Sequence, residues 1–341
     1  MKIRNKNILI ISPEAWGDIH LSKHHYSLEL TKRKNTVFFL NPFLLGLQNS
    51  LRTHEVIQNL NVLSYNGVLR GINRLPVVKR GFLYKHLADK ILRYINTSID
   101  IVWTFDPYRF QNPRVFRSKY VIYHPTDIHH TDLEFAVVNN ADITIAPSLK
   151  ILKKFKNLNS KLLKINHGLS EHFITKENLT YEKFLLNKNK INVGLIGNLN
   201  YPYMDENTLI QIVENNKEID FYFIGPYEKS NLFTGRLNKR LYMTLSCMSN
   251  FVFLGPKPSQ NLPNYINQFD IFLMCYNSDK YRDEVANPHK LMEFLSTGKV
   301  IVSHYIDEYK DRSDLVKMAK VNSELPDLFS KVINDLHIYN N

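Results

Sequence analysis

Cysteine is nearly absent from this chain. Two residues in 341, Cys247 and Cys275, cannot build a disulfide framework, and neither belongs to a CxxC or Cys/His metal pattern. A reducing compartment is therefore expected. Long apolar runs are missing as well: none approaches the roughly 20 residues of a membrane-spanning helix. The opening stretch MKIRNKNILIISPEAW meets charge at Glu14 before it could form the apolar core and cleavage site of a signal peptide. The expectation is a cytoplasmic protein, attached at most peripherally to the inner face of the plasma membrane. Glycine is scarce, at 12 residues, and no GxGxxG or GxxxxGK[ST] occurs; the first strand candidate runs into Ser12-Pro13-Glu14-Ala15-Trp16-Gly17 instead. A nucleotide-sugar epimerase or dehydrogenase and a P-loop NTPase both lose their main support. No repeat of about 20–50 residues appears, which excludes a solenoid.

The length and the 44% hydrophobic content suit two domains of about 150 residues each. Acids are thin in one half only. Residues 1–170 carry 25 Lys/Arg against 11 Asp/Glu, whereas 171–341 carry 19 against 21, within a net charge of +12. A basic domain faces something anionic: nucleic acid, phospholipid head groups or a phosphorylated substrate. A Lys- and Asn-rich composition accounts for part of the excess, and no RRM, KH or helix-turn-helix signature supports nucleic acid.

Short apolar runs, each followed by a longer amphipathic stretch, mark βα units on parallel sheets. The first half offers strands at Asn7–Ser12, Thr36–Leu40, Ile99–Thr104, Tyr120–Tyr123, Ile143–Ala146 and Leu162–Asn166, with helices at Ser22–Lys34, Phe82–Asn96, Leu133–Asn140 and Leu149–Lys156. The pattern restarts with strands at Ile191–Ile196, Phe221–Ile224, Phe251–Leu254, Ile271–Met274 and Val300–Ser303, and helices at Glu206–Asn215, Leu262–Asn267 and His289–Ser296. The expected organisation is an α/β protein: an N-terminal acceptor-binding Rossmann-like domain over 1–173, a linker over 174–190, a donor-binding Rossmann-like domain over 191–323, and a C-terminal helix over 324–341 that packs back on the first domain. Five glycines, Gly194, Gly197, Gly225, Gly255 and Gly298, lie in or beside second-domain strands, where a nucleotide can approach the backbone.

The densest chemical signal is Asn287 to Val302, NPHKLMEFLSTGKVIV. Pro288 suits the first turn of a helix and Asn287 its N-cap, so that free N–H groups and the positive dipole end face an anion. Lys290 and Glu293, three residues apart, share a face: a cation for a phosphate, and a carboxylate able to accept two sugar hydroxyls. The plainer reading is an amphipathic helix with a solvated Lys–Glu pair. Asp127 directly follows a strand in Tyr123-His124-Pro125-Thr126-Asp127, where a carboxylate can act as a general base or simply cap the next helix.

The 287–302 segment resembles the donor-site element of GT-B glycosyltransferases, roughly [N/E]-P-x-K-x-x-E-x-x-A-x-G-[K/R]-P-V-V, matched here by Asn287, Pro288, Lys290, Glu293, Gly298, Lys299, Val300 and Val302. VGLIGN at Val193–Asn198, Phe223-Ile224-Gly225, Phe253-Leu254-Gly255 and Ile165-Asn166-His167-Gly168 follow the family's order over nearly the whole chain. The resemblance implies the GT-B architecture, two doubly wound parallel-sheet domains facing a central cleft. It implies that Glu293 binds ribose hydroxyls, that Lys290 lies at the diphosphate, and that Gly255-Pro256-Lys257-Pro258 lies near the base. Gly197, Asn198, Gly255, Lys257, Asn287, Pro288, His289, Lys290 and Glu293 are thus the expected donor site. Two departures stand out. Where many retaining members carry a glutamate, this chain has Val285, with Glu284 displaced by one; and the Arg/Lys pair expected after the first glycine loop is missing from Gly197-Asn198-Leu199-Asn200-Tyr201.

Tyr123 to Asp127 resembles the Y-x-x-x-D element of inverting enzymes of the xanthan glucuronosyltransferase type, which implies Asp127 as the base that deprotonates the acceptor. His24 joins it as a candidate catalytic group, and Trp16, His20, Lys23, His129 and His167 as acceptor or cleft residues. His20, His24, His25, His129 and His130 cluster in two loops without HExxH or comparable spacing, and the resemblance implies no bound metal and no tightly held cofactor. The stretch Val68–Ile95 carries seven Lys/Arg against one acid, interleaved with apolar residues, and suits either an anionic membrane surface or a core helix with a basic outer face. The resulting expectation is a bacterial surface-polysaccharide glycosyltransferase. Its co-substrate is a nucleotide sugar, a UDP-sugar by preference, and its acceptor a glycan or polyprenyl-diphosphate-linked oligosaccharide, with no nucleic acid partner.

Overall fold

The computed structural model describes residues 3–17, 19–43, 51–65, 71–158, 160–174, 186–228 and 237–339. Residues 175–185 of the expected linker, 68–70 of the basic stretch and 340–341 of the C-terminal helix lie outside these. The chain divides into two compact units, Met1–Asn166 and His167–Asn341. The division falls before the expected end of the first domain at 173, and it assigns His167 to the second unit.

In the first unit β1 (Asn7–Ile11) is buried along Ile8–Ile11, as a central parallel strand covered on both faces must be. There follow α1 (Ser22–Thr31), β2 (Thr36–Leu40), β3 (Arg52–Ile57), β4 (Leu60–Ser64), α2 (Val77–Ile95), β5 (Ile101–Thr104), β6 (Tyr120–Tyr123), α3 (Leu133–Asn139), β7 (Ile143–Ala146), α4 (Leu149–Lys153) and β8 (Lys161–Lys164). They form an eight-stranded sheet in the order β3-β4-β2-β1-β5-β6-β7-β8, parallel except for the antiparallel β3–β4 hairpin. Alternate residues feed two apolar layers. Leu9, Ile11, Val102, Val121 and Tyr123 meet Ile91 of α2 on one face, while Ile8, Ile10, Val37, Phe39 and Trp103 meet Leu30 of α1 on the other.

The hairpin was not expected from the sequence. β3, RTHEVI, is almost wholly exposed at the sheet edge and therefore has no apolar run to betray it; its turn uses Asn59 at φ 67, a conformation that asparagine tolerates. α2 begins at Val77 rather than Phe82 because its first turns carry exposed apolar residues that break the helical period. The outermost strands hold charge: Arg52, His54 and Glu55 on β3, Lys161 and Lys164 on β8.

The second unit runs β9 (Asn192–Ile196), α5 (Glu206–Asn215), β10 (Asp220–Ile224), α6 (Lys239–Ser246), β11 (Phe251–Gly255), α7 (Leu262–Ile266), β12 (Ile271–Met274), α8 (Lys290–Leu295), β13 (Val300–Ser303), β14 (Lys317–Met318), α9 (Leu325–Asn334) and α10 (Leu336–Tyr339). Its sheet, β11-β10-β9-β12-β13-β14, is parallel throughout. The closing helices contribute Leu325, Phe329, Val332 and Leu336 to the core of their own unit, among Val193, Phe221 and Val302. Full burial of a side chain such as Phe329 contributes about 1.5–3 kcal/mol. No helix among the described residues is long and apolar enough to cross a membrane.

Candidate functional site

The strand order of the second sheet reverses its winding between β9 and β12, and open α/β sheets take ligands at the carboxyl ends of strands beside such a point. Three glycines meet there. Gly197 N–H donates to the Ile224 carbonyl at 3.1 Å and Gly225 N–H to the Gly255 carbonyl at 3.0 Å, so the loops leaving β9, β10 and β11 are joined backbone to backbone. Gly225 sits at φ 144, and a Cβ there would fall 1.7 Å from the Gly197 carbonyl oxygen. Asn198 turns the first loop by accepting from Asn200 N–H at 3.0 Å. Lys257, two residues beyond Gly255, lays its ammonium 5.1 Å from the Tyr265 ring centroid.

Helix α8 is shorter than expected. It starts at Lys290, with His289 at its N-terminal flank in αR geometry and no side-chain cap. Asn287 is therefore not the N-cap; the first turn closes instead through Leu291 N–H to the Pro288 carbonyl at 3.2 Å and Met292 N–H to the His289 carbonyl at 3.1 Å. The Asn287 carbonyl lies 3.0 Å from His167 Nε2, and the His167 and His289 rings meet edge-on with centroids 6.0 Å apart. Lys290 and Glu293 face the same side as expected, with Lys290 Nζ at 3.2 and 3.3 Å from the two carboxylate oxygens. This pair is largely shielded from solvent, with Lys290 half-buried. Glu293 is buried, and desolvation raises its pKa against the opposing pull of Lys290. Lys299, a match to the motif, lies elsewhere: its ammonium donates to the carbonyls of Asn267 and Phe269, at the amino end of β12.

In the first unit Asp127 is exposed in the bend after β6, and Thr126 Oγ1 donates to its Oδ2 at 3.1 Å. It does not cap α3, whose flanking residue is Asp132. The same loop is held from behind. Lys154 donates to the His129 carbonyl and to Glu134, both at 2.6 Å, while the buried Tyr123 hydroxyl donates to the other Glu134 oxygen at 2.7 Å. His129 also meets Tyr108 edge-on.

His24 departs from expectation. It is fully buried in α1: its Nδ1 accepts from Leu21 N–H at 2.9 Å, which leaves Nε2–H to donate to the Ala15 carbonyl at 3.2 Å. Burial first, then the neighbouring Lys23 and His20, push its pKa down to about 3. With both nitrogens engaged and the ring neutral, His24 has no proton-transfer position left; it supports Trp16 and His20, whose rings pack at 5.2 and 5.4 Å. Lys23, also buried, pairs with Glu14. Among the described residues no three His, Cys, Asp or Glu side chains converge as a metal site.

Nothing in the sequence pattern points to the group that ties this end of the first sheet together. Buried Arg109 donates to Asp106 at 2.5 Å, to the Asn41 carbonyl at 2.8 Å, to the Tyr65 hydroxyl at 2.6 Å and to the Ser12 carbonyl. Those partners follow β5, β2, β4 and β1. In the second unit Asn322 does similar work, donating to the Asp205 carboxylate and the Tyr276 carbonyl, both at 2.7 Å.

No protein-family model matches the chain. TuaH of Bacillus subtilis strain 168, a protein named as a teichuronic acid biosynthesis glycosyltransferase, is 25% identical over 174 residues, 50% of this chain and 42% of that protein. The match thus spans less than half of that relative's length. Among solved structures, sucrose-phosphate synthase from Thermosynechococcus elongatus superposes with a TM-score of 0.71 at 10% identity, covering 98% of this chain and 91% of that one. HepE of Anabaena, in complex with UDP and glucose, gives 0.66 at 14% identity over 98% and 91%. The chain has the GT-B fold.

Proposed function

We propose that this protein is a glycosyltransferase that moves a sugar from a nucleotide-sugar donor, a UDP-sugar by preference, to a hydroxyl of a glycan or lipid-linked oligosaccharide in surface-polysaccharide synthesis. The observation that carries the reading is the partly buried Lys290–Glu293 pair on α8, in a unit of GT-B fold whose first three strands end in joined glycine loops. A buried charged pair is a poor source of stability, because desolvation offsets most of its attraction; a ligand with an anionic diphosphate and ribose hydroxyls supplies both groups with partners. The UDP bound in HepE and the name of TuaH point the same way.

In this reading Glu293 accepts the ribose hydroxyls and Lys290 faces the diphosphate, with Gly197, Asn198, Gly255, Lys257, Asn287, Pro288 and His289 around them. Asp127 takes the proton of the acceptor hydroxyl as that oxygen bonds to the anomeric carbon, and the bond to the nucleoside diphosphate breaks with its electron pair. Trp16, His20, Lys23 and His129 shape the acceptor side, and His167 braces the donor loop through Asn287. The anionic membrane surface meets the start of α2.

Calorimetric titration with UDP, GDP and ADP, followed by turnover with the matching nucleotide sugars, tests the assignment. Glu293→Ala and Lys290→Ala are expected to weaken nucleoside-diphosphate binding about tenfold or more, the loss of one hydrogen bond to a charged group. Asp127→Asn is expected to keep that affinity while turnover drops by about 10²–10⁴. Full turnover in Asp127→Asn removes Asp127 from the chemistry, and a response to NAD alone overturns the function.

A further inference from the structure

The loop after β9 contains no Lys or Arg from Gly197 to Tyr201, so the first glycine turn of the second unit has no cation of its own to meet a phosphate. What stands over it is a phenol. β9 and β12 flank the point where the sheet reverses its winding; Gly197 directly follows β9, and Tyr276 lies two residues past the end of β12. A Cβ built on Gly197 would lie 3.2 Å from Tyr276 Oη.

The tyrosine is held in place from both sides of its backbone. Its N–H donates to His304 Nδ1 at 3.3 Å, and its carbonyl accepts from Asn322 Nδ2 at 2.7 Å. Asn322 also accepts from Ser278 N–H and Oγ at 3.0 and 2.8 Å, which fixes the turn that follows. The ring packs against His304 at 5.2 Å and Tyr201 at 6.0 Å. With so much support, the hydroxyl itself has no hydrogen-bond partner among the described residues. A hydroxyl held rigidly over a glycine turn is preorganised to donate to a ligand oxygen that takes the place of water there. Burial, with a smaller push from Cys275, raises the phenol to about 12, so it remains an O–H donor at neutral pH.

We propose that the Tyr276 hydroxyl donates a hydrogen bond to the diphosphate of the nucleotide-sugar donor over the Gly197 turn, in the place where a basic side chain is missing. The inference rests on the donor-binding reading above and adds a residue to it. A neutral donor in a preorganised position binds the phosphate oxygens without adding a further charge to the site.

The test is Tyr276→Phe, which removes one oxygen and keeps the ring, titrated calorimetrically with UDP and with uridine. The UDP dissociation constant is expected to rise about ten- to hundredfold, as for a hydrogen bond to a charged group, with uridine binding and melting temperature unchanged. Equal weakening of UDP and uridine would make Tyr276 a brace for the loop and overturn the proposal. Unchanged UDP affinity in the variant overturns it too, leaving the donor-binding reading intact. A wild-type protein that binds none of UDP, GDP or ADP brings down both.

Discussion

Arg109 shows how much a single side chain can hold. Its guanidinium reaches backbone or side-chain oxygens after four strands of the first sheet, with Asp106 as counter-charge. Replacing it by alanine leaves the Asp106 carboxylate buried and unpaired, which is expected to cost about 3–5 kcal/mol in urea denaturation. Glu293 makes a different prediction. Because burial raises its pKa, the carboxylate is lost on acidification earlier than an ordinary glutamate would be, and in the donor site proposed above a neutral Glu293 would no longer accept two hydroxyls. Nucleoside-diphosphate affinity should therefore fall as pH drops, starting above the usual glutamate range; a Glu293→Gln protein should bind weakly with little pH dependence. Lys290 and Glu293 were legible in the sequence because a local spacing of three places them on one helical face. Arg109 and Tyr276 were not, since their roles arise only where strand ends far apart in sequence converge.

At the level of elements, the start of α2 stands apart. Val77, Val78 and Phe82 are 72%, 84% and 71% exposed, with Lys79 and Lys85 exposed beside them. Apolar residues at the tip of a basic helix can enter the boundary of an anionic bilayer. Sedimentation with vesicles rich in phosphatidylglycerol should carry the protein down, vesicles of phosphatidylcholine alone should not, and Val78→Ser with Phe82→Ser should abolish the effect; equal recovery with both vesicles would refute it. The glycine loops predict a sharper failure. Gly225→Ala would drive a methyl into the Gly197 carbonyl, so the loops after β9 and β10 must separate, and diphosphate binding should vanish. Most of the parallel strands could be read directly, because strands buried on both faces are continuous apolar runs. β3, α6 and the two-residue β14 could not: β3 is exposed, α6 buries Leu241 and Leu245 alone, and β14 is too short to imprint a pattern.

For the whole molecule, each unit carries a buried neutral histidine. His24 in the first is held down to about 3, and His304 in the second, its ring against the Met274 and Val285 carbonyls, down to about 4, both chiefly by burial. Unfolded, each takes a proton near 6.5. Between that value and the folded pKa the unfolded chain binds protons that the native state does not, so stability is complete above 6.5 and is lost as pH falls through the window, on the order of 3 kcal/mol or more per histidine. Urea midpoints measured from pH 7.5 down to 4.5 should show this decline, and the combined His24→Gln and His304→Gln variant should flatten it. The charged rims of the first sheet govern behaviour of another kind. Any second chain adding a strand beside β3 or β8 would have to bring its own backbone against Arg52, His54 and Glu55, or against Lys161 and Lys164. Concentrated solutions should accordingly stay free of fibrils and strand-swapped dimers, whereas a variant with valine or threonine at those five positions should scatter light increasingly on standing.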